Sequence, residues 1–204
     1  ADGTLQVPGL AADKAKVSAK LLANGRKIAT SNMDDYVTLS VGNEALDPIA
    51  TVIALKVSGE HAIVRMPELQ DKDGVLTLRP QSVEFHDPTA GGTMVESRGE
   101  DKQFNIGGWT APDSWIDWRI KLNEGGRFTV QTEIAGFGTP RLRVTCGNAA
   151  FETKLPKTGA YGEFAPVTLG EIELPAGTTN LALRPVKEGW LPINIRRIML
   201  RPVE

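Results

Sequence analysis

The chain has 204 residues, enough for one large domain or two small ones, each able to bury a core. With 23 Lys and Arg against 25 Asp and Glu, the formal net charge is −2, which argues against a nucleic-acid binder needing a positive surplus to displace counterions. No apolar run reaches the roughly 18 residues of a membrane span, and the single cysteine, Cys146, excludes an internal disulfide or thiolate zinc site.

The 21 glycines and 13 prolines fall between short runs of alternating apolar residues, the pattern of an all-β chain. In the first third, strands are predicted over residues 3–7, 16–23, 36–41 and 49–57. The last run, "IATVIALKV", is almost continuously apolar and predicts a central strand covered on both faces. Asn24 and Gly25, between Leu22 and Ile28, form a usual hairpin connection. Residues 65–74, "RMPELQDKDG", combine a proline, a charge cluster and an Asp-Gly turn, and predict a domain boundary. The expected domains are a small β-sandwich over 1–66 and a second sandwich over 75–204.

The second series of strands is predicted over 75–80, 93–97, 115–122, 127–135, 141–146, 151–155, 165–174, 179–186 and 192–203. About nine strands in that length make a complete sandwich, read as a jelly roll. In the last strand the two-residue period slips at Arg196 and Arg197, which predicts a β-bulge. Cys146 shares the parity of Leu142 and Val144 and reads as a buried, inert thiol.

Three of the four tryptophans fall within residues 104–118, "FNIGGWTAPDSWIDW". Alternation in "WIDWRIKL" puts Trp118 on the core face with Ile116, Ile120 and Leu122. Trp115 lies on the charged face with Asp117, Arg119 and Lys121, as a rim residue or under a loop. No periodic pattern buries Trp109, which stands between glycines and an Ala-Pro. Such an indole can offer its face to a sugar ring, with Asn105 and Asp113 as polar partners. Trp190 is a second loop tryptophan, with Asn194 four residues on. The competing reading is that both indoles plug the ends of the sandwich.

Further residues carry a family resemblance. The segments "ADGTLQVPGL", "KVSAKLLANGRKI", "YVTLSV" and "ALDPIATVIALKVSG" resemble the small C-terminal β-sandwich of bacterial α-L-fucosidases of glycoside hydrolase family 29. Its Pro-Gly-Leu, Leu-Leu and Asp-Pro-Ile-Ala-Thr-Val-Ile elements stand here at 8–10, 21–22 and 47–53. The remainder, notably "FNIGGWTAPDSWIDWRIKLNEGGRFTV" and "GEIELPAGTTNLALRPV", is similar to the carbohydrate-binding-module-like jelly roll appended to many such enzymes. The resemblance implies a non-catalytic accessory region of a secreted or periplasmic glycosidase, with a glycan ligand. Its catalytic (β/α)₈ barrel would precede this chain as a partner in the same protein. That barrel would act by the retaining mechanism. A chain opening at Ala1 is then expected to be truncated by a strand or two of its first sandwich.

Where many relatives carry an aromatic, this chain has Gly108. Related jelly rolls often hold a structural calcium, for which Glu84 and Glu96 are the candidates. The last strand, however, offers Arg196 and Arg197 where an acid would be wanted. No other cofactor is implied. No G-x-S-x-G, H-E-x-x-H or C-x-x-C motif is present, so no catalytic residue is assigned. Glu84, His86 and Asp87 crowd together in sequence, but neighbours on a strand alternate faces and are not expected to converge. Asp113 is expected to cap the "APDSW" turn. A purely structural role, packing on the barrel or on another subunit, is the alternative to sugar binding.

Overall fold

The computed structural model describes residues 3–10, 15–32, 36–42, 50–59, 65–88, 92–101 and 103–203. His61 and residues 47–49 of the Asp-Pro-Ile-Ala segment lie outside them. The described residues are all-β, with one short 3₁₀ turn at Pro80–Ser82 and no α-helix. The chain divides into two compact units, Ala1–Met66 and Pro67–Glu204.

The smaller unit holds β1 (Thr4–Pro8), β2 (Ala15–Leu21), β3 (Lys27–Asn32), β4 (Tyr36–Ser40) and β5 (Ile53–Gly59), in the order β1-β4-β3-β2-β5. The Asn24–Gly25 turn behaves as expected: Gly25 has φ +73° and its N–H donates to the Leu21 carbonyl. That turn opens β3, which has too few apolar residues to stand out in the sequence. β3 changes partner along its length, with Ile28 beside Ala19 of β2 and residues 29–32 beside β4. Ala19, Leu21, Ile28, Val37 and Leu39 form the core of this unit. The described part of the apolar run, from residue 50, does not form a strand covered on both faces: among the described residues β5 pairs only with β2, at the sheet edge, and Val52 and Leu55 are exposed. A continuous apolar run records hydrophobicity but not how many neighbours a strand has.

The larger unit comprises β6 (Glu68–Leu69), β7 (Leu76–Leu78), β8 (Glu84–His86), β9 (Met94–Ser97), β10 (Phe104–Gly107), β11 (Trp115–Leu122), β12 (Gly126–Ala135), β13 (Arg141–Cys146), β14 (Ala149–Lys154), β15 (Ala165–Leu174), β16 (Gly177–Pro185) and β17 (Asn194–Pro202). One sheet runs β15-β12-β17-β10-β9, with β7 also on β17. The other runs β14-β13-β16-β11-β6, with β8 also on β11. Between them lies one core built from alternate residues, such as Phe128, Val130 and Ile134 of β12 against Trp118 and Ile120 of β11. Trp118 is fully buried as the alternation required, and its indole N–H donates to the Arg79 carbonyl at 2.8 Å.

Residues 68–74, expected in the junction, are part of this unit. The Gln70 side chain accepts from the Asn123 and Glu124 amides at 2.7 and 3.0 Å and donates to the Gly74 and Glu124 carbonyls. That ties β6 to the β11–β12 turn. In β17 the register slips opposite β12: Thr132 faces Ile198 but Ile134 faces Ile195. Arg196 and Arg197 therefore share one partner position, a bulge, and the Thr132 hydroxyl donates to the Arg197 carbonyl at 3.0 Å. Because β8 to β17 pair antiparallel, the loops at 108–114, 136–140, 155–164 and 186–193 gather at one end of this sandwich, with Asp87 and Gly92 beside them.

Candidate functional site: the loop end and the charged sheet face

At the loop end the tryptophans are structural. Trp109 is fully buried, so no face of its indole is open to a ligand, and the expected platform role fails at this residue. Its Nε1 donates to the Ser114 carbonyl at 3.1 Å, closing its own loop. Half-buried Trp190 donates from Nε1 to the Trp109 carbonyl at 3.2 Å, and the rings meet edge to face at 5.3 Å. The pair pins the β10–β11 loop to the β16–β17 loop, as plugs would.

The expected polar partners are committed elsewhere. Asn105 is fully buried, accepting from the Arg98 amide at 3.0 Å and donating to Glu96 Oε1 at 3.1 Å. Asn194 is buried and donates to the Tyr161 carbonyl at 2.7 Å, holding the β14–β15 loop in place. Asp113 forms an ion pair with Lys187 across the two loops that the tryptophans also join. Gly108 is more than the loss of an aromatic. It sits at φ +67°, and a Cβ there would run into the Gly92 carbonyl, so the neighbouring loop has closed over the position.

The side chains that do stand open at this end were not singled out from the sequence. Phe137, 59% exposed, meets half-buried Tyr161 edge to face at 5.0 Å. Leu191, 48% exposed, lies against Gly138, where any side chain would collide with it. Phe137 and Tyr161 stand in "GFG" and "AYG", the same glycine-flanked loop setting that drew attention to Trp109. Burial separates the two settings: Trp109 is enclosed and Phe137 is open.

The charged face of β11 carries a second cluster. Trp115 pairs in register with His86 of β8, and the rings stack in parallel at 3.6 Å. The Arg184 guanidinium lies 3.6 Å from the same indole. Asp117, expected to be wet, is buried: Oδ2 accepts from Asn180 Nδ2 at 2.7 Å, and Oδ1 lies 3.3 Å from His86 Nε2. Glu84 and His86 are two residues apart on β8 and so share a face, and they converge with Asp117, a residue of the neighbouring strand that the sequence did not connect with them. Asp87 points elsewhere and accepts from Ser114 Oγ at 2.6 Å.

Of the two calcium candidates, Glu84 groups among the described residues with the His86 imidazole and the already hydrogen-bonded Asp117 carboxylate, where calcium takes six to eight oxygens. Glu96 lies on β9 in the other sheet, bound by Arg98 Nε at 2.5 Å and by Asn105. Cys146 is buried as expected, and burial pushes its thiol up to about 11, only partly offset by a hydrogen bond with Thr179. It has none of the character of a nucleophile.

No protein-family model and no curated protein matches the chain. Solved structures do share its fold. The C-terminal family 6 carbohydrate-binding module of LamC, a marine laminarinase from Zobellia galactanivorans, matches 62% of this chain and 98% of its own at 19% identity and TM-score 0.52. A family 35 carbohydrate-binding module from Clostridium thermocellum matches 63% of this chain and 98% of its own at 10% identity and TM-score 0.53. An α-L-fucosidase from Vibrio sp. strain EJY3 covers 98% of this chain with 36% of its own at 18% identity, but its TM-score of 0.45 is too low to carry an argument. The fold is thus that of carbohydrate-binding jelly rolls.

Proposed function

We propose that the larger unit is a non-catalytic carbohydrate-binding module that takes glycan at its loop end. The observation that carries this reading is the open aromatic pair, Phe137 against Tyr161, flanked by Leu191 and backed by the interlocked Trp109 and Trp190. An exposed ring on a rigid loop can pack against the C–H face of a sugar at little conformational cost. Asn194 serves this site indirectly, by fixing the Tyr161 backbone. In the wider reading, the chain is the accessory region of a secreted α-L-fucosidase-like glycoside hydrolase whose catalytic barrel lies elsewhere in the same protein. The family resemblance of its segments supports that context.

Affinity electrophoresis of the purified chain through gels containing fucosylated or unfucosylated polysaccharides tests the site. Retardation is expected for the wild type and its loss for Tyr161→Ala and Phe137→Ala. Equal retardation of all three proteins would remove the site. One observation favours a second reading, in which this end packs against protein: Leu191 adds apolar exposed surface against Gly138, next to Phe137. If the isolated chain ignores every glycan but binds a separately produced catalytic barrel, and Phe137→Ala weakens that association, the structural reading holds instead.

A further inference from the structure

The five strands of the smaller unit hold four lysines and no Asp, Glu or Arg. Alternation puts all four lysines on one face. Ala19, Leu21, Ile28, Val37 and Leu39 fill the core side, so Lys16 and Lys20 of β2, Lys27 of β3 and Lys56 of β5 point the other way. The strand registers bring them together. Lys20 stands directly opposite Lys27, and Lys56 stands opposite Ser18, the residue midway between Lys16 and Lys20. Lys16 and Lys20, four residues apart, span about 13 Å of their strand.

All four are exposed, and among the described residues no side-chain hydrogen bond or ion pair engages them. Like charges directly opposite one another on adjacent strands repel and destabilise the pairing. The face therefore keeps four uncompensated positive charges in one patch, an arrangement that the apolar core on its other side does not require. A bound anion relieves the repulsion.

The rest of the patch sets the kind of partner. Between the lysines lie only Ser18, Ala29, Ala54 and Ser58. No aromatic ring stands among them to stack a base or a bare sugar ring, and no large apolar side chain to anchor a membrane or a protein hot spot. A polymer whose anionic groups project from its backbone needs none of these. A sulfate ester hangs on an exocyclic oxygen and offers acceptor oxygens that flexible ammonium groups and serine hydroxyls can reach from a flat surface. A carboxylate fixed directly on a sugar ring brings that ring close and calls for a shaped pocket.

We propose that this face of the smaller unit docks a sulfated polysaccharide, held by Lys16, Lys20, Lys27 and Lys56. The surface belongs to a different unit from the aromatic loop end and does not depend on it. Titration of the whole chain with dextran sulfate at several salt concentrations tests it. The proteins compared are wild type, a Lys20→Gln, Lys27→Gln double variant, a Lys154→Gln, Lys157→Gln double variant of the larger unit, and Phe137→Ala. Wild type should bind less tightly as salt rises, and the Lys20, Lys27 variant on the order of tenfold more weakly, as counterion release at two fewer contacts requires. The Lys154, Lys157 variant and Phe137→Ala should bind as wild type does. Because the substitution relieves the Lys20–Lys27 repulsion, the first variant should melt no lower than wild type without polymer. Equal affinity in wild type and that variant, or equal losses in both double variants, would overturn the docking face. A lower melting temperature of the first variant would also overturn it, by making the lysines part of the fold. Neutral dextran, polygalacturonate, single-stranded DNA or phosphatidylserine vesicles bound as tightly as dextran sulfate would overturn the choice of partner.

Discussion

Trp109 shows how burial changes the meaning of a residue. An indole that reads from its neighbours as a ligand platform is a plug, and its replacement should act on folding before binding. Trp109→Ala is predicted to destabilise the larger unit by about 3–5 kcal/mol, the usual cost of emptying a buried aromatic site. Denaturant unfolding checks this, and a stability change near zero would mean the indole is not packed as described. Cys146 gives a pH prediction. Burial pushes its thiol up to about 11, from an ordinary value of 9.0. Ionisation of the unfolded chain therefore draws stability away as pH rises between those values, and the contribution is intact below them. Alkylation of the native protein near neutral pH should be far slower than that of the unfolded chain; equal rates would contradict the burial.

At the scale of elements, what the sequence disclosed was mostly periodicity. β12 and β13 alternate between a core and an outer face, β11 does so except at buried Asp117 and β15 changes parity once at a register shift, and the inward Trp118 and Cys146 follow from that alternation. The slip at Arg196–Arg197 was equally legible, because a bulge breaks a period that is otherwise kept. Short strands were not: β6, β8 and β10 have two to four residues, too few to show a period. β10 in particular reads as loop because it ends at Gly107, next to Gly108. The convergence of Glu84, His86 and Asp117 was hidden for another reason, since it depends on which strand lies beside β11. The loop end yields a prediction here. Gly108→Ala would force a positive φ on a residue with a side chain and drive its Cβ into the Gly92 carbonyl. It should lower stability by more than about 1 kcal/mol, seen as a fall in Tm, whereas unaltered melting would show that the Gly92 carbonyl does not lie over this position.

For the whole molecule, fold and function differ in how they can be known from sequence. Repeated short apolar strands between glycines and prolines suffice for an all-β sandwich, because they are set by local chemistry and by the need of each strand to bury one face. The site depends on which of several loop aromatics remains outside after the loops have packed, and that follows from contacts distant in sequence, such as Trp190 on Trp109 and Asn194 on Tyr161. An aromatic in a glycine-flanked loop is only a candidate from sequence, and which of Trp109 and Phe137 stays open is decided by packing.

The most direct test of the central claim is a glycan-array screen of the purified chain beside a Phe137→Ala, Tyr161→Ala double variant, spanning fucosylated, neutral and acidic sugars. The account predicts at least one glycan held by the wild type and lost by the double variant, with both proteins equally folded by circular dichroism. A glycan bound alike by both would place the site away from the loop end, and silence from the wild type across the array would contradict carbohydrate binding by the isolated chain.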